Sequence, residues 1–135
     1  KLNVEFGIQL KRCSECNIYQ PVDYKVSDNT VLQPDLLISC VPSSSNKFID
    51  KAPALVAEII SPSTAYKDRH EKFSIYERQG VPYYLIIDPE KEEIEIYSLE
   101  NEKYTLVARG KQVQYSFNLH NCNANMDFAE IWQTN

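Results

Sequence analysis

Within Leu55-Val-Ala-Glu-Ile-Ile-Ser-Pro-Ser-Thr64 a single carboxylate interrupts an apolar run. A β-branched and aliphatic run this short, closed by Ser61-Pro62, predicts a strand buried on both faces rather than a helix. Side chains alternate along a strand, so Glu58 shares a face with Val56 and Ile60, and its charge must be paired, protonated or bound to a cation. Asp35 is a second carboxylate, just after Pro34 at the head of Leu36-Leu-Ile-Ser-Cys40. If the two strands are neighbours, both acids converge on one divalent ion. Magnesium sites commonly use one or two carboxylates and leave positions for water and substrate phosphate, so Asp35, Glu58 and the Ile59 carbonyl would suffice. The plainer alternative makes Asp35 a turn residue and Glu58 a buried acid paired with a lysine.

Asp68 and Lys72 stand four residues apart on a predicted helix, and Tyr76 extends the same face by another turn. As a surface ion pair they would contribute only about 0.3–0.5 kcal/mol. Pointed back toward Glu58, the Lys72 ammonium would orient an attacking water and offset charge on a pentacovalent phosphate, as phosphodiester hydrolysis requires.

These residues need elements to hold them. Leu2, Phe6 and Leu10 lie on one side of an amphipathic helix over Leu2–Arg12. Ile18–Val26 reads as a strand whose Pro21 implies an edge or bulge, and Ser27-Asp-Asn-Thr30 as a turn. A strand over Leu32–Cys40 leads into a serine-rich loop, Val41–Lys51, and then to Leu55–Ile60. Thr64–Gln79 is a helix with Ser63 or Thr64 as N-cap, a short stripe of Phe73, Ile75 and Tyr76, and Gly80 as its stop. Val81–Ile87 is a buried strand ending at Asp88-Pro89, where Asp88 reads as a turn residue. Exposed-face strands over Ile94–Leu99, Tyr104–Ala108 and Gln112–Phe117 follow as a meander, and Met126–Trp132 closes as a short helix, with Phe128 and Trp132 packing it onto the sheet. This order predicts a mixed sheet flanked by helices.

The 135 residues fit one domain, and no apolar run approaches the roughly 20 residues that cross a bilayer. The chain begins at Lys1 without methionine, so upstream residues are expected to be missing. A net charge of −5 argues against coating nucleic acid by bulk charge, although an acidic protein can carry a basic cleft. A domain of this size does not need disulfides, so Cys13, Cys16, Cys40 and Cys122 favour a reducing cytoplasm. Cys13 and Cys16 have zinc-like spacing, but a structural zinc takes four ligands; there is no second such pair, and Cys122 with His120 is a weak completion.

Pro34-Asp35, Glu58-Ile-Ile-Ser-Pro-Ser-Thr64, Asp68 with Lys72 and Tyr76, Gly80-Val-Pro82 and Ile87-Asp-Pro89, in that order, closely resemble the bacterial putative restriction endonuclease family, long a domain of unknown function within the PD-(D/E)XK nuclease superfamily. The resemblance covers roughly Asp23 to Leu99. It implies a restriction-endonuclease-like α/β fold, a mixed central sheet with helices on both faces. It also implies Asp35 and Glu58 as metal-binding acids, with Ile59 supplying a further carbonyl ligand. The superfamily pattern puts lysine two residues after the glutamate, where this chain has Ile60. Lys72 on the following helix matches a migrated lysine, with Asp68 positioning it, and Lys67 is a weaker substitute. Tyr83 and Leu85 stand where the family usually has an acidic residue and a tryptophan, and Glu5 is a weak stand-in for a missing upstream acid. The resulting expectation is a cytoplasmic endonuclease using Mg2+ (or Mn2+) on DNA, with Asp35, Glu58 and Lys72 catalytic and Tyr76 supporting. A homodimer follows if both strands are cut. The competing expectation is an inactive nuclease fold that binds nucleic acid or protein.

Overall fold

The computed structural model describes residues 2–43, 47–61 and 68–132, with the side chains of residues 2, 3, 12, 68 and 69 outside that description. Six strands form the main sheet: β1 (Asn17–Tyr19), β4 (Leu36–Ser39), β5 (Leu55–Ile59), β6 (Tyr83–Asp88), β7 (Glu93–Glu100) and β8 (Lys103–Gly110), adjacent in that order. All neighbours are antiparallel except β5 and β6, which are parallel. A parallel pair requires a crossover, and this one carries a π-helical turn, Asp68–Lys72, running into helix α2, Phe73–Gln79. Gly80 ends α2 at φ 77, where a left-handed conformation favours glycine. Strands β2 (Tyr24–Ser27) and β3 (Thr30–Leu32) form a separate hairpin, as do β9 (Gln114–Leu119) and β10 (Cys122–Asp127).

Alternation along the strands divides the core in two. Leu36, Ile38, Leu55, Ala57, Leu85, Ile87, Ile94 and Ile96 face one way, beneath helix α1 (Leu2–Gln9), the β9–β10 hairpin and the 3-10 turn Phe128–Trp132. Leu37, Val56, Ile60, Tyr84 and Ile86 face the other way, against Tyr76 of α2 and Tyr24 of β2. The sheet is therefore mixed, as expected, but its helical cover is modest: hairpins do much of the covering.

Four local expectations need correction. The strand predicted over Ile18–Val26 is split at Pro21 into β1 and β2. The third part of the meander leaves the sheet and becomes β9. Met126 does not start a helix; it lies in β10, where Ala124 and Met126 alternate inward, and only Phe128–Trp132 turns helically. The cysteines, read as belonging to reducing surroundings, are paired: Cys13 with Cys122 and Cys16 with Cys40. Disulfides persist in oxidising surroundings, so this pairing does not support the cytoplasmic reading. Among the described residues no helix is long and apolar enough to cross a membrane.

Candidate active site

The first carboxylate is positioned by strand register. Leu36 pairs with Ala57 across β4 and β5, so Asp35, one residue before β4, falls opposite the end of β5 that carries Glu58 and Ile59. Asp35 Oδ2 accepts a hydrogen bond from the Ile59 backbone N–H at 2.7 Å. Leu55, Val56 and Ala57 are fully buried, and that burial carries Glu58 inward to 2% exposure. Glu58 points to the same side of the sheet as Val56, toward α2.

The helix supplies the partners. Tyr76 is fully buried, its ring 5.1 Å from Tyr84 and stacked on Tyr24 at 6.4 Å, and its hydroxyl donates to Glu58 Oε2 at 2.9 Å. One turn earlier, Lys72 Nζ lies 3.3 Å from the same oxygen. Phe73 anchors the helix through edge contacts with Tyr84, Tyr97 and Tyr104. Two bonds hold the α2 end: Tyr104 N–H donates to Glu77 Oε2 at 2.8 Å, and the Tyr104 hydroxyl to the Val81 carbonyl at 2.7 Å.

Burial pushes the Glu58 carboxyl above its ordinary range; the Lys72 ammonium and the Tyr76 hydroxyl pull it back, and the nearby Asp35 charge adds to the rise. Burial, reinforced by Glu58, drives the Tyr76 phenol far above its ordinary value, so Tyr76 acts here as a proton-holding donor. The arrangement is a buried acid held by one neutral donor and one cation, with a second acid across the neighbouring strand.

Two neighbouring carboxylates with oxygen donors suit a hard divalent cation, whose charge would offset the burial and, to a lesser degree, the Asp35 charge that raise Glu58. The donor chemistry therefore fits magnesium or manganese. Among the described residues no third histidine, cysteine or acidic side chain joins Asp35 and Glu58 as a metal-binding group, so a carbonyl or water ligands must complete any such shell.

A family model, Uma2, described as "Putative restriction endonuclease", matches residues 2–120. The chain belongs to this family. Among solved structures, a crystallised protein from Anabaena variabilis, described as a putative nuclease belonging to DUF820, is similar at a TM-score of 0.71 and 13% identity. The alignment covers 97% of this chain and 75% of that one, a likeness that shows the fold. No curated protein matches the chain.

The Uma2 match is wider than the Asp23–Leu99 resemblance, and it contains Asp35, Glu58, Ile59, Lys72 and Tyr76. The structure brings Asp35, Glu58, Lys72 and Tyr76 together, along with the Ile59 backbone. The Asp68 side chain, Lys67 and the proposed caps Ser63 and Thr64 lie outside the described residues. Glu5 sits on α1, across the sheet from the Glu58 face. Asp88 is the last residue of β6 and caps the turn that follows, accepting the N–H groups of Glu90 and Lys91 at 3.1 Å each.

Sequence reading missed Glu95. It is 4% exposed, accepts from the Tyr97 hydroxyl, and pairs with Ile86, the same residue that Glu58 meets from the other side. Glu58 and Glu95 thus share one row and one face. Alternation placed Glu95 correctly on the face opposite Ile94 and Ile96, but gave no sign that Phe73 and Tyr76 of α2 cover that face.

Proposed function

We propose that this Uma2 member is a divalent-metal-dependent endonuclease that hydrolyses DNA phosphodiesters. The supporting observation is that buried Glu58 holds Lys72 Nζ at 3.3 Å while Asp35 stands across the adjoining strand. Asp35, Glu58 and the Ile59 carbonyl are the residues that would hold Mg2+ or Mn2+. Such an ion supplies Lewis acidity toward a phosphoryl oxygen and makes a coordinated water more acidic.

The protein's own groups perform the remaining work. Tyr76 fixes one Glu58 oxygen and stays protonated, so Glu58 presents its charge in one orientation. The Lys72 side chain keeps 28% of its surface exposed, so its ammonium is reachable by an incoming phosphate and opposes charge that grows in the transition state. Asp68 is assigned to position Lys72. Cutting both strands would use two copies about a two-fold axis, and a light-scattering mass equal to one chain would remove that assignment.

The test is plasmid nicking in Mg2+ or Mn2+, comparing the parent with Glu58→Gln and Lys72→Met at matched fold stability. Metal-dependent nicking lost in both variants is the expected result. A folded, metal-loaded parent that cuts no DNA but binds it would support the inactive-fold reading. Turnover of small phosphate esters without polymer cleavage would indicate a phosphatase instead.

A further inference from the structure

The four cysteines are distant in sequence, yet they meet at one place. Cys13 and Cys16 lie in the segment after α1, where the Cys16 N–H donates to the Cys13 carbonyl at 3.0 Å, a turn that aims two cysteines at one recess. Cys40 follows the end of β4 and Cys122 opens β10. A recess of about 300 Å³ is lined by Cys13, Cys16 and Cys122 with Glu15 and His120, and an adjoining one by Cys40 with the same Glu15 and His120. Cys16 Sγ approaches the Leu119 carbonyl at 4.0 Å, and Leu119 is the register partner of Cys122. Paired Cα atoms lie 5.8 Å apart for Cys13 and Cys122, and 4.0 Å for Cys16 and Cys40.

Two independent disulfides do not require their sulfurs to converge. Here, half-cystines three residues apart reach two different strands, and the two disulfides border adjoining recesses that share Glu15 and His120. A Cys-x-x-Cys turn facing two further cysteines is the donor set of a structural zinc centre. We propose that in the reduced chain Cys13, Cys16, Cys40 and Cys122 bind one Zn2+ as a tetrathiolate, tying the segment after α1 to the ends of β4 and β10. The paired form described above is the oxidised, metal-free alternative of the same cluster.

The interconversion balances. Each cystine takes two electrons and two protons from one dithiol reductant, which leaves as its own disulfide, so two dithiols yield four thiols. Zinc binding then displaces the four thiol protons. Zn–S bonds of about 2.3 Å imply sulfurs roughly 3.8 Å apart, so the proposal requires the side chains to rotate once both disulfides are reduced. The centre is structural and separate from the acids. Cys40 and Asp35 flank opposite ends of β4, on the order of 16 Å apart along an extended strand. Only the cysteine centre offers soft thiolates.

The experiment is metal content after purification with a reductant present, followed by cobalt substitution. One zinc per chain is expected, together with a tetrahedral cobalt–thiolate spectrum and four thiols that react only after a chelator is added. Cys40→Ser should weaken cobalt binding by more than about 100-fold, because removing even an outer-shell partner of a metal ligand costs 10–100-fold. His120→Ala and Glu58→Gln should keep the zinc. The thiol count on the parent chain decides the matter even if Cys40→Ser does not fold. Four reactive thiols without zinc in the reduced parent would overturn the proposal, as would a chain isolated with both disulfides intact despite the reductant. Zinc retained in Cys40→Ser but lost in His120→Ala would also overturn it, because the donor set would then be different.

Discussion

Replacing Tyr76 with phenylalanine removes one oxygen and leaves the ring, so it isolates the bond to Glu58. Tyr76 is fully buried and Glu58 is 2% exposed, so water does not readily replace the lost donor. A hydrogen bond to a charged acceptor contributes about 1.5–3 kcal/mol and a neutral one about 0.5–1.5. The variant should therefore lose about 2 kcal/mol where Glu58 is ionised and about 1 kcal/mol where it is protonated. Burial already holds the Glu58 carboxyl above its unfolded value. Its protonated form thus contributes stability that is fully present below the unfolded value and lost as pH rises through the folded one. Without the Tyr76 hydroxyl the carboxyl moves further up, so the loss extends to higher pH and goes deeper. Urea unfolding followed by circular dichroism, at about pH 4 and about pH 8, should show the gap between parent and variant widening by about 1 kcal/mol at the higher pH. An equal loss at both values, or a larger one in acid, would refute the claim that Tyr76 donates to a carboxylate.

Glu58→Gln carries no titrating proton, so its stability relative to the parent should rise with pH from about 4.3, the ordinary glutamate value, through the elevated value in the fold; parallel pH curves for the two proteins would exclude a raised Glu58. Asp35→Ala takes the acceptor from the Ile59 N–H, a 2.7 Å bond, at about 1–2 kcal/mol. Asp35→Asn should keep most of that stability in urea unfolding yet lose cleavage, and parental nicking by Asp35→Asn would remove Asp35 from the metal site. Magnesium at about 100 times its dissociation constant should stabilise the parent by about 2.7 kcal/mol but neither Asp35→Asn nor Glu58→Gln, and a shift retained in both variants would place the ion elsewhere.

Glu58 was legible because an acid inside a β-branched run has few outcomes, and Lys72 because Tyr76, four residues on, marks one helix face. The convergence of Asp35 with Glu58 was conditional: it depends on which strands pair, and nothing local to Leu36–Ser39 specifies β5 as its neighbour. Glu95 was unreadable for a related reason. Its alternation with Ile94 and Ile96 defines a face but not what covers it, and the cover comes from Phe73 and Tyr76 on a distant helix. The β10 segment, Cys-Asn-Ala-Asn-Met-Asp, is poor in the residues that usually mark strands, and only its inward Ala124 and Met126 betray the period of two. Cysteine partners up to 109 residues apart likewise leave no local trace.

The resemblance drawn from the sequence expects a lysine at position 60, and the structure shows what the isoleucine there does instead. Ile60 is 4% exposed and packs in the cluster that contains Val56, Tyr24 and Tyr76. A lysine there would place an ammonium beside Tyr76, which holds Glu58, or its stem would have to displace Tyr76 to reach water, and burying such a charge costs several kcal/mol unless it is paired. The isoleucine instead completes the apolar seat of Tyr76. With Tyr76 locked by that seat and α2 ended at Gly80, the residue one turn earlier is carried over the same carboxylate, and Lys72 reaches Glu58 while its own side chain stays partly in solvent. Position 60 thus serves the packing that positions α2, and the cation beside Glu58 comes from that helix.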